Sequence, residues 1–337
     1  MPSTDSALVF HEWSKTYGPV MHLKVLGRSM IILDSYQTAV ELLDKRGVTY
    51  SDRPKFTLYE LLGWNPSLVF LQYGKQLNIH RQMHQSYLSR HKAEDFKPMQ
   101  TQEARTLVQN LLDSTPDKYE KFKVGEAMPS FISEQLDQME EGADEEDLKG
   151  AAATMFGAGE ATTWSTLSIF ILAMVLHPEC QAQAQKEIDS VVGGARLPEF
   201  GDREDLPLVE GVLQETLRWN PGTPLGVPHR AMKDDVYQGM LIPKGALVFA
   251  NIRGMSLDEN VYSNPTSFNP ERYFPKPAGK GEPKFSNVSF GFGRRFCFVR
   301  SPLGDFLTYY VHHQSMHWTV CRQQQPVDCH SIDLGNL

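Results

Sequence analysis

This chain of 337 residues contains few cysteines, no excess of basic residues and no recognisable targeting segment. Its four cysteines, Cys180, Cys297, Cys321 and Cys329, form no Cys-x-x-Cys pair, which excludes a disulfide framework and indicates free thiols in a reducing compartment. The 33 lysines and arginines are outnumbered by 41 aspartates and glutamates, so a net charge of −8 argues against nucleic-acid binding. The first residues contain no basic stretch and no apolar run, so neither a signal peptide nor an N-terminal membrane anchor is expected.

Apolar residues, by contrast, are plentiful at 41% of the chain, and 10% of all residues are aromatic. This content excludes a disordered chain and predicts a large buried core in one or two domains. Residues 151–176 carry a single formal charge, Glu160, and are long enough to span a membrane. Because this stretch is also rich in glycine, serine and threonine, a long buried helix is the other interpretation.

Periodicity and breaker residues predict a mostly helical chain with a few short strands. A hairpin is expected over 17–33 around Gly27, and further short strands within 239–250. Residues 264–296 are rich in proline and glycine and are expected to be mostly irregular. Helices are expected at about 35–46, 78–91, 99–113, 130–140, 145–177, 178–192 and 207–219.

The segment Phe290–Cys297 combines two glycines, two arginines and a lone cysteine. The glycines allow a tight turn, and neighbouring cations favour the thiolate form that binds a metal. A plain Gly-Arg turn beside a buried free cysteine explains the isolated segment equally well.

Two weaker patterns lie upstream of this segment. Glu215 and Arg218 are three residues apart and share a helix face, and Arg272 in the irregular segment could complete an ion triad with them. Ala158 and Gly159, followed by Thr162, place small and hydroxylated residues in mid-helix. That arrangement suits either a ligand that approaches closely or ordinary helix packing.

Taken together, the order and spacing of these motifs resemble the cytochrome P450 heme-thiolate monooxygenases, in particular fungal members of secondary metabolism. The segments 50–54 and 227–230 are also similar to that family, and the resemblance covers about 10–120 and 126–305. It implies a mainly α fold with small β-sheets, shortened at the N-terminus and internally. It also implies one domain over 1–337, made of an N-terminal part at 10–120, a part from the long helix to the cysteine loop at 126–305, and a divergent tail at 306–337.

The resemblance also assigns expected roles to single residues. Cys297 is the expected axial thiolate ligand of the heme iron, and Arg295, Arg81 and His229 are expected to contact the heme propionates. Glu215, Arg218 and Arg272 are the expected structural triad. Thr162 is expected to deliver protons near the iron, with Glu160 as an acid one residue earlier than the family's usual position.

The implied reaction inserts one atom of O₂ into an apolar small molecule, such as a terpenoid-like secondary metabolite. The implied cofactor is heme b, with electrons from NADPH through a separate cytochrome P450 reductase, because the chain has no Gly-x-Gly-x-x-Gly nucleotide motif. Family members are usually anchored in the endoplasmic reticulum membrane. No anchor is expected here, so the location of this chain stays open.

Several departures from the family pattern favour a second hypothesis, an inactive remnant. Phe298 and Val299 follow the cysteine where a small residue and glycine are usual, and Leu77 stands where a tryptophan is usual. The chain is roughly 150 residues shorter than typical members, with a gap expected near 120–124. The tail after about residue 305 no longer resembles the family.

Overall fold

The computed structural model of the chain describes residues 4–64, 67–88, 95–103, 105–106, 131, 135, 145–193 and 195–297. The described helices with assigned bounds are α1 (Ser6–Tyr17), α2 (Tyr36–Ala39), α3 (Gly47–Tyr50), α4 (Thr57–Leu61), α5 (Lys75–Tyr87), α6 (Glu145–Leu176), α7 (Pro178–Val191), α8 (Pro207–Trp219), α9 (Ile252–Ser256) and α10 (Ser286–Ser289). The described strands are β1 (Val20–Val25), β2 (Arg28–Leu33), β3 (His229–Arg230), β4 (Asp235–Tyr237), β5 (Met240–Ile242) and β6 (Leu247–Ala250).

A four-stranded sheet of order β1-β2-β6-β3 joins the two ends of the described chain. β1 pairs antiparallel with β2, as the predicted hairpin requires, and Val20 lies opposite Leu33. β2 then pairs in parallel with β6, so that Met30 lies opposite Leu247. Both central strands are runs of apolar residues, as expected for strands covered on both faces. A second sheet pairs β4 with β5.

Helix α6 is the predicted long helix, and its 32 residues span about 48 Å. Acidic residues fill its first turn, where they complement the helix dipole, and Pro178 begins α7 directly after its end. It packs against α5, α7 and α8. The helix meets the length and composition of a membrane span. Only 22% of its most apolar window is buried, and Phe156 and Trp164 are exposed, so the expectation of a long buried helix is met only in part.

Helix α8 lies in the main core, with most of its residues buried. Proline begins this helix, and its first free N–H groups at Leu208 and Val209 donate to the Glu187 carboxylate at 3.0 Å. That acid on α7 therefore performs the work of an N-cap. The core that it enters also contains residues of the sheet, α6, α7 and the segment around Phe285.

The predicted helix at 35–46 is α-helical only over Tyr36–Ala39 and becomes π-helical over Val40–Lys45. The widened turn presents the Leu43 carbonyl and the Asp44 carboxylate to Gly293, whose N–H donates to Asp44. Residues 264–296 are mostly irregular, as predicted, with short turns of helix at Pro270–Tyr273, Ser286–Ser289 and Gly293–Arg295.

Some sequence predictions lie outside the described residues. These are most of the helices at 99–113 and 130–140, the gap near 120–124, the residues Phe298 and Val299, the cysteines Cys321 and Cys329, and the tail at 306–337.

Candidate functional site

A cavity of about 380 Å³ lies where α5, α6, α8, β3 and the segment Phe290–Cys297 meet. Most of its wall is apolar. Its chemically reactive or charged lining residues are Arg53, Arg81, His84, Thr162, His229, Arg295 and Cys297. No aspartate or glutamate lines the cavity within the described part of the chain, so the site is suited to an anionic occupant.

The segment Phe290–Cys297, called the cysteine loop from here on, presents its thiol to the cavity. Gly291 and Gly293 have φ values of 80° and 62°, a left-handed conformation that glycine adopts without strain. The N–H of Cys297 donates to the Phe290 carbonyl at 2.8 Å and closes the loop. The Cys297 side chain is exposed at the cavity and takes part in no disulfide, so its sulfur is in the reduced form that binds a metal.

Three arginines bring positive charge to the cavity wall. Arg53 donates to the carbonyls of Val227 and Pro228 at 2.9 Å, and burial followed by repulsion from Arg295 lowers its pKa to about 9. Burial also lowers the pKa of Arg295 to about 10. Neither guanidinium bonds to a carboxylate within the described residues, and the hydrogen bonds of both go to backbone carbonyls.

Arg295 likewise donates to backbone carbonyls, those of Ser51 at 2.6 Å and Leu71 at 2.7 Å. Arg81 on α5 lies over the Phe296 ring, with 5.9 Å between its guanidinium carbon and the ring centre, and burial lowers its pKa. Buried cations that repel each other are stabilised when a buried anion arrives between them.

His229 is buried on β3 and bonds through Nδ1 to the Tyr50 carbonyl at 2.7 Å. Because a carbonyl accepts, Nδ1 carries the proton in this assignment, and Nε2 of the neutral ring is an acceptor. Burial, with a further contribution from Arg53, lowers the pKa of His229 to about 3. His229 can therefore donate to a carboxylate through Nε2 only after it gains a proton, which such an anion would favour.

This depressed pKa predicts an acid-labile contribution to stability in the heme-free protein. The contribution is complete above the ordinary histidine pKa of 6.5 and is lost as the pH falls toward 3, because only the unfolded chain binds the proton in that range. In His229→Asn the amide still donates to Tyr50, and we expect the slope of unfolding free energy against pH to fall by at most about 1.4 kcal/mol per pH unit. Urea unfolding across this pH range measures the slope, and an unchanged slope would contradict a neutral buried ring.

Glu215, Arg218 and Arg272, the predicted triad, lie together and have fully buried side chains. Arg218 donates to both Glu215 oxygens at 2.8 and 2.7 Å, in bidentate geometry. Arg272 donates from Nε to the same carboxylate at 3.0 Å. The structure adds two partners that the sequence did not indicate, since Tyr273 donates to Glu215 at 2.9 Å and Glu282 accepts from Arg272 at 2.6 Å.

On α6 the structure separates the two predicted catalytic residues. Thr162 lines the cavity, and its hydroxyl donates to the Ala158 carbonyl at 2.6 Å. Glu160 is exposed and is not part of the cavity wall, because two residues rotate a helix by about 200°. The structure therefore does not bring Glu160 together with Thr162 in the site.

Arg53 and His84 also line the cavity but were not among the predicted site residues. The signal for Arg53 was present, because it lies in the segment 50–54 that resembles the family. The signal for His84 was its spacing of one helical turn from Arg81. Leu77, which stands where the family usually has tryptophan, is buried at the same wall and offers no donor.

These residues fit the heme that the resemblance implies. A thiol suits the iron, a set of wholly or partly buried cations suits two propionates, and an apolar wall suits the flat ring. The cavity wall thus contains each kind of group that a heme-thiolate site requires.

Comparisons with known proteins agree with this chemistry. A family model described as "Cytochrome P450" matches residues 3–124 and 116–298. Curated relatives include cytochrome P450 monooxygenase claR of Ampulloclitocybe clavipes, 32% identical over 85% of this chain and 71% of the relative. They also include cytochrome P450 monooxygenase 136 of Postia placenta, 33% identical over 86% and 73%, and aneD of Aspergillus aculeatus, 30% identical over 88% and 73%.

Among solved structures, a zebrafish cytochrome P450 with progesterone superposes with a TM-score of 0.76 at 22% identity, covering 93% of this chain and 92% of the other. A second zebrafish cytochrome P450 structure, with abiraterone, gives the same TM-score at 23% identity. At this identity the likeness establishes the fold, mainly α with small sheets, and the fold prediction is confirmed.

The same comparisons bear on the predicted shortening. The alignment with claR has 381 positions but takes in 85% of this 337-residue chain, or about 286 residues, so about 95 positions of the alignment face gaps in this chain. The two segments matched by the family model overlap over 116–124, a range that includes the gap predicted near 120–124. The chain is therefore shorter than its relatives within the aligned span.

Proposed function

Because this chain belongs to the cytochrome P450 family, we propose that it is a monooxygenase that binds heme b through Cys297 and oxidises an apolar small molecule. The observation that carries this proposal is the meeting of the Cys297 thiol, one buried and two partly buried arginines and an apolar wall in one cavity. An uncharged region beside a thiolate and a cluster of cations is suited to a heme and an apolar substrate together.

Each residue of the cavity has a defined task in this proposal. Cys297 would hold the iron, while Arg53, Arg81 and Arg295 would hold the propionates by charge-assisted hydrogen bonds. When bound, the heme supplies the activation of O₂ that the side chains themselves cannot perform. Thr162 would hold a proton at Oγ1, because its hydroxyl lies at the cavity wall. In the structure this hydroxyl donates to the Ala158 carbonyl.

The apolar remainder of the wall indicates the class of substrate. The apolar residues that line the cavity include Leu68, Val69, Ile169, Leu217 and Ile252. No described acid lines the cavity to bind a cationic substrate. A neutral terpenoid-like or aromatic molecule suits such a wall, and a role in fungal secondary metabolism is supported by relatives such as claR and aneD. We propose that electrons arrive from NADPH through a separate cytochrome P450 reductase.

The test is the spectrum of the reduced, heme-loaded protein with carbon monoxide. We expect the red-shifted Soret band of a thiolate-ligated heme in the unmodified chain and in Cys180→Ala, and its loss in Cys297→Ala. Cys180 is the matched control because it is buried on α7, where burial raises its pKa to about 11. If Cys297→Ala gave the same spectrum as the unmodified chain, the proposed ligand would be wrong.

A second candidate function is an inactive remnant of the family, which the total of about 95 alignment positions that face gaps in this chain favours. The two candidates differ in the chemistry that heme binding makes possible. An active enzyme consumes NADPH in the presence of reductase and yields an oxygenated product, whereas a remnant yields no product even where the thiolate band forms.

A further inference from the structure

One face of helix α6 is exposed to solvent over residues 146–168. Two large aromatic side chains lie on it, with Phe156 76% exposed and Trp164 69% exposed, and a β-carbon added to Gly157 would meet nothing within 4 Å. We call this surface the outer face of α6. Its exposed members recur every three or four positions, as one face of a helix requires, and are Glu146, Lys149, Ala153, Phe156, Gly157, Glu160, Trp164 and Ser168.

The outer face and the heme cavity lie on opposite sides of α6. Nine residues separate Ala153 from Thr162, and at about 100° a residue these two side chains point in opposite directions. Thr162, Thr166 and Ile169 line the cavity, whereas no residue of the outer face does. A molecule bound at the outer face therefore leaves the cavity side of α6 uncovered, and its binding requires neither heme nor catalysis.

The outer face also carries one charge of each sign, at opposite ends of its apolar middle. Lys149 and Glu160 are eleven residues apart, which is about 16 Å along the helix. Lys149 donates to Glu146 at 2.7 Å, but both side chains are exposed, so this pair contributes little to stability. Glu160 forms no ion pair with any of the described residues. A two-fold rotation of such a surface brings its cation onto its anion, and the exposed aromatic side chains gain free energy when they leave water.

We propose that the outer face binds the outer face of a second copy of this chain, with the two α6 helices antiparallel about a two-fold axis at Phe156 and Gly157. In this register Lys149 of one copy lies opposite Trp164 of the other, one helical turn from Glu160. The lysine ammonium has three donors, so it can reach both the Glu160 carboxylate and the indole face of the second copy. A parallel pair would instead bring Lys149 to Lys149 and Glu160 to Glu160, where like charges repel.

The dimensions of the outer face predict a dimer that forms and separates readily. Residues 149–164 span about 24 Å of a helix about 10 Å wide, so the contact is much smaller than the roughly 800 Å² that each partner buries in a stable complex. Ala153 and Gly157 leave room for the Phe156 ring of the second copy, because neither has a side chain larger than a methyl group. We expect a dissociation constant on the order of 10–100 μM, with Phe156 and Trp164 as the apolar anchors.

The test is sedimentation velocity of the full chain from about 1 to 200 μM, where we expect monomer and dimer in exchange. Lys149→Glu or Glu160→Lys should weaken the dimer on the order of tenfold, because the contact occurs twice in each dimer. The double charge swap Lys149→Glu/Glu160→Lys should restore the affinity to within about threefold. Lys186→Glu on α7 is the matched control, because it makes the same change of charge at an exposed lysine elsewhere and should leave the affinity unchanged.

A separate variant tests the position of the two-fold axis. Gly157→Cys should form an interchain disulfide under mild oxidation faster than Lys186→Cys, because the axis brings the two copies of position 157 together. Thermal unfolding establishes that each variant is folded. Equal association of Lys149→Glu and Lys186→Glu, or no recovery in the double charge swap, would overturn the proposal. A monomer at the highest concentration, growth into open-ended aggregates, or capture of the monomer by neutral phosphatidylcholine vesicles would also overturn it.

Discussion

Glu215→Ala is expected to lower the free energy of unfolding by about 3–5 kcal/mol, because it leaves two fully buried arginines without their carboxylate. Arg218 would retain contacts to the carbonyls of Ser256 and Pro265, both at 2.7 Å, but no compensating charge from the triad. Arg272 would retain Glu282, so the larger part of the loss falls on Arg218. Denaturant unfolding followed by circular dichroism measures the difference.

Glu271→Ala provides the matched control, since this glutamate is exposed and adjoins Arg272 in the chain. Its replacement should change stability by no more than about 0.5 kcal/mol. Glu215→Gln separates charge from shape, because it keeps the packing and part of the hydrogen bonding but removes the negative charge. If Glu215→Ala were as stable as the control, the buried network would contribute only geometry and not stability.

Gly293→Ala is expected to disrupt the cysteine loop, with consequences for any ligand that Cys297 holds. A β-carbon at this position would overlap the Leu43 carbonyl, which belongs to the backbone of the π-helical turn and cannot move aside easily. The left-handed φ of 62° adds a further cost for alanine of about 1–2 kcal/mol. The N–H of Gly293 would also be drawn away from Asp44.

Gly291→Ala isolates the steric part of this effect. Gly291 has a similar φ of 80°, but its nearest neighbour to an added β-carbon is 4.0 Å away, at Cα of Phe296. Both variants should therefore share the conformational cost, and Gly293→Ala should lose about 1–3 kcal/mol more from the overlap. Thermal unfolding measures the difference in stability between the two variants. The thiolate band of the reduced carbon monoxide complex measures the difference in disruption of the cysteine loop. Equal losses in the two variants would show that the overlap is relieved by movement.

The elements that the sequence predicted well are those with local causes. The bounds of α8 were expected at 207–219 and are found there, because a proline begins the helix and Asn220 and Pro221 follow its end. The hairpin and the long helix α6 are likewise defined by their own turns and breakers. Local sequence pattern specifies where such elements begin and end.

The positions of the site residues that were missed are determined by contacts with distant parts of the chain. Arg53 is fixed by carbonyls of Val227 and Pro228, which are more than 170 residues away in the chain. The π-helical turn at Val40–Lys45 exists where the Gly293 backbone approaches it, so no pattern within that turn could predict it. Glu160 was predicted from its place beside the motif one residue early, and the structure leaves it exposed outside the cavity wall, because the rotation of α6 sets the direction of its side chain.

The parallel pairing of β2 with β6 has a consequence for folding of the chain during its synthesis on the ribosome. Met30–Leu33 must wait for a partner at Leu247–Ala250, more than 200 residues later. At a synthesis rate of about 5–20 residues per second, the wait is about 10–40 s. Throughout that time a completed hairpin presents an apolar, unpaired strand edge, which is a template for aggregation. The sheet topology therefore exposes the nascent chain to aggregation until β6 has been synthesised.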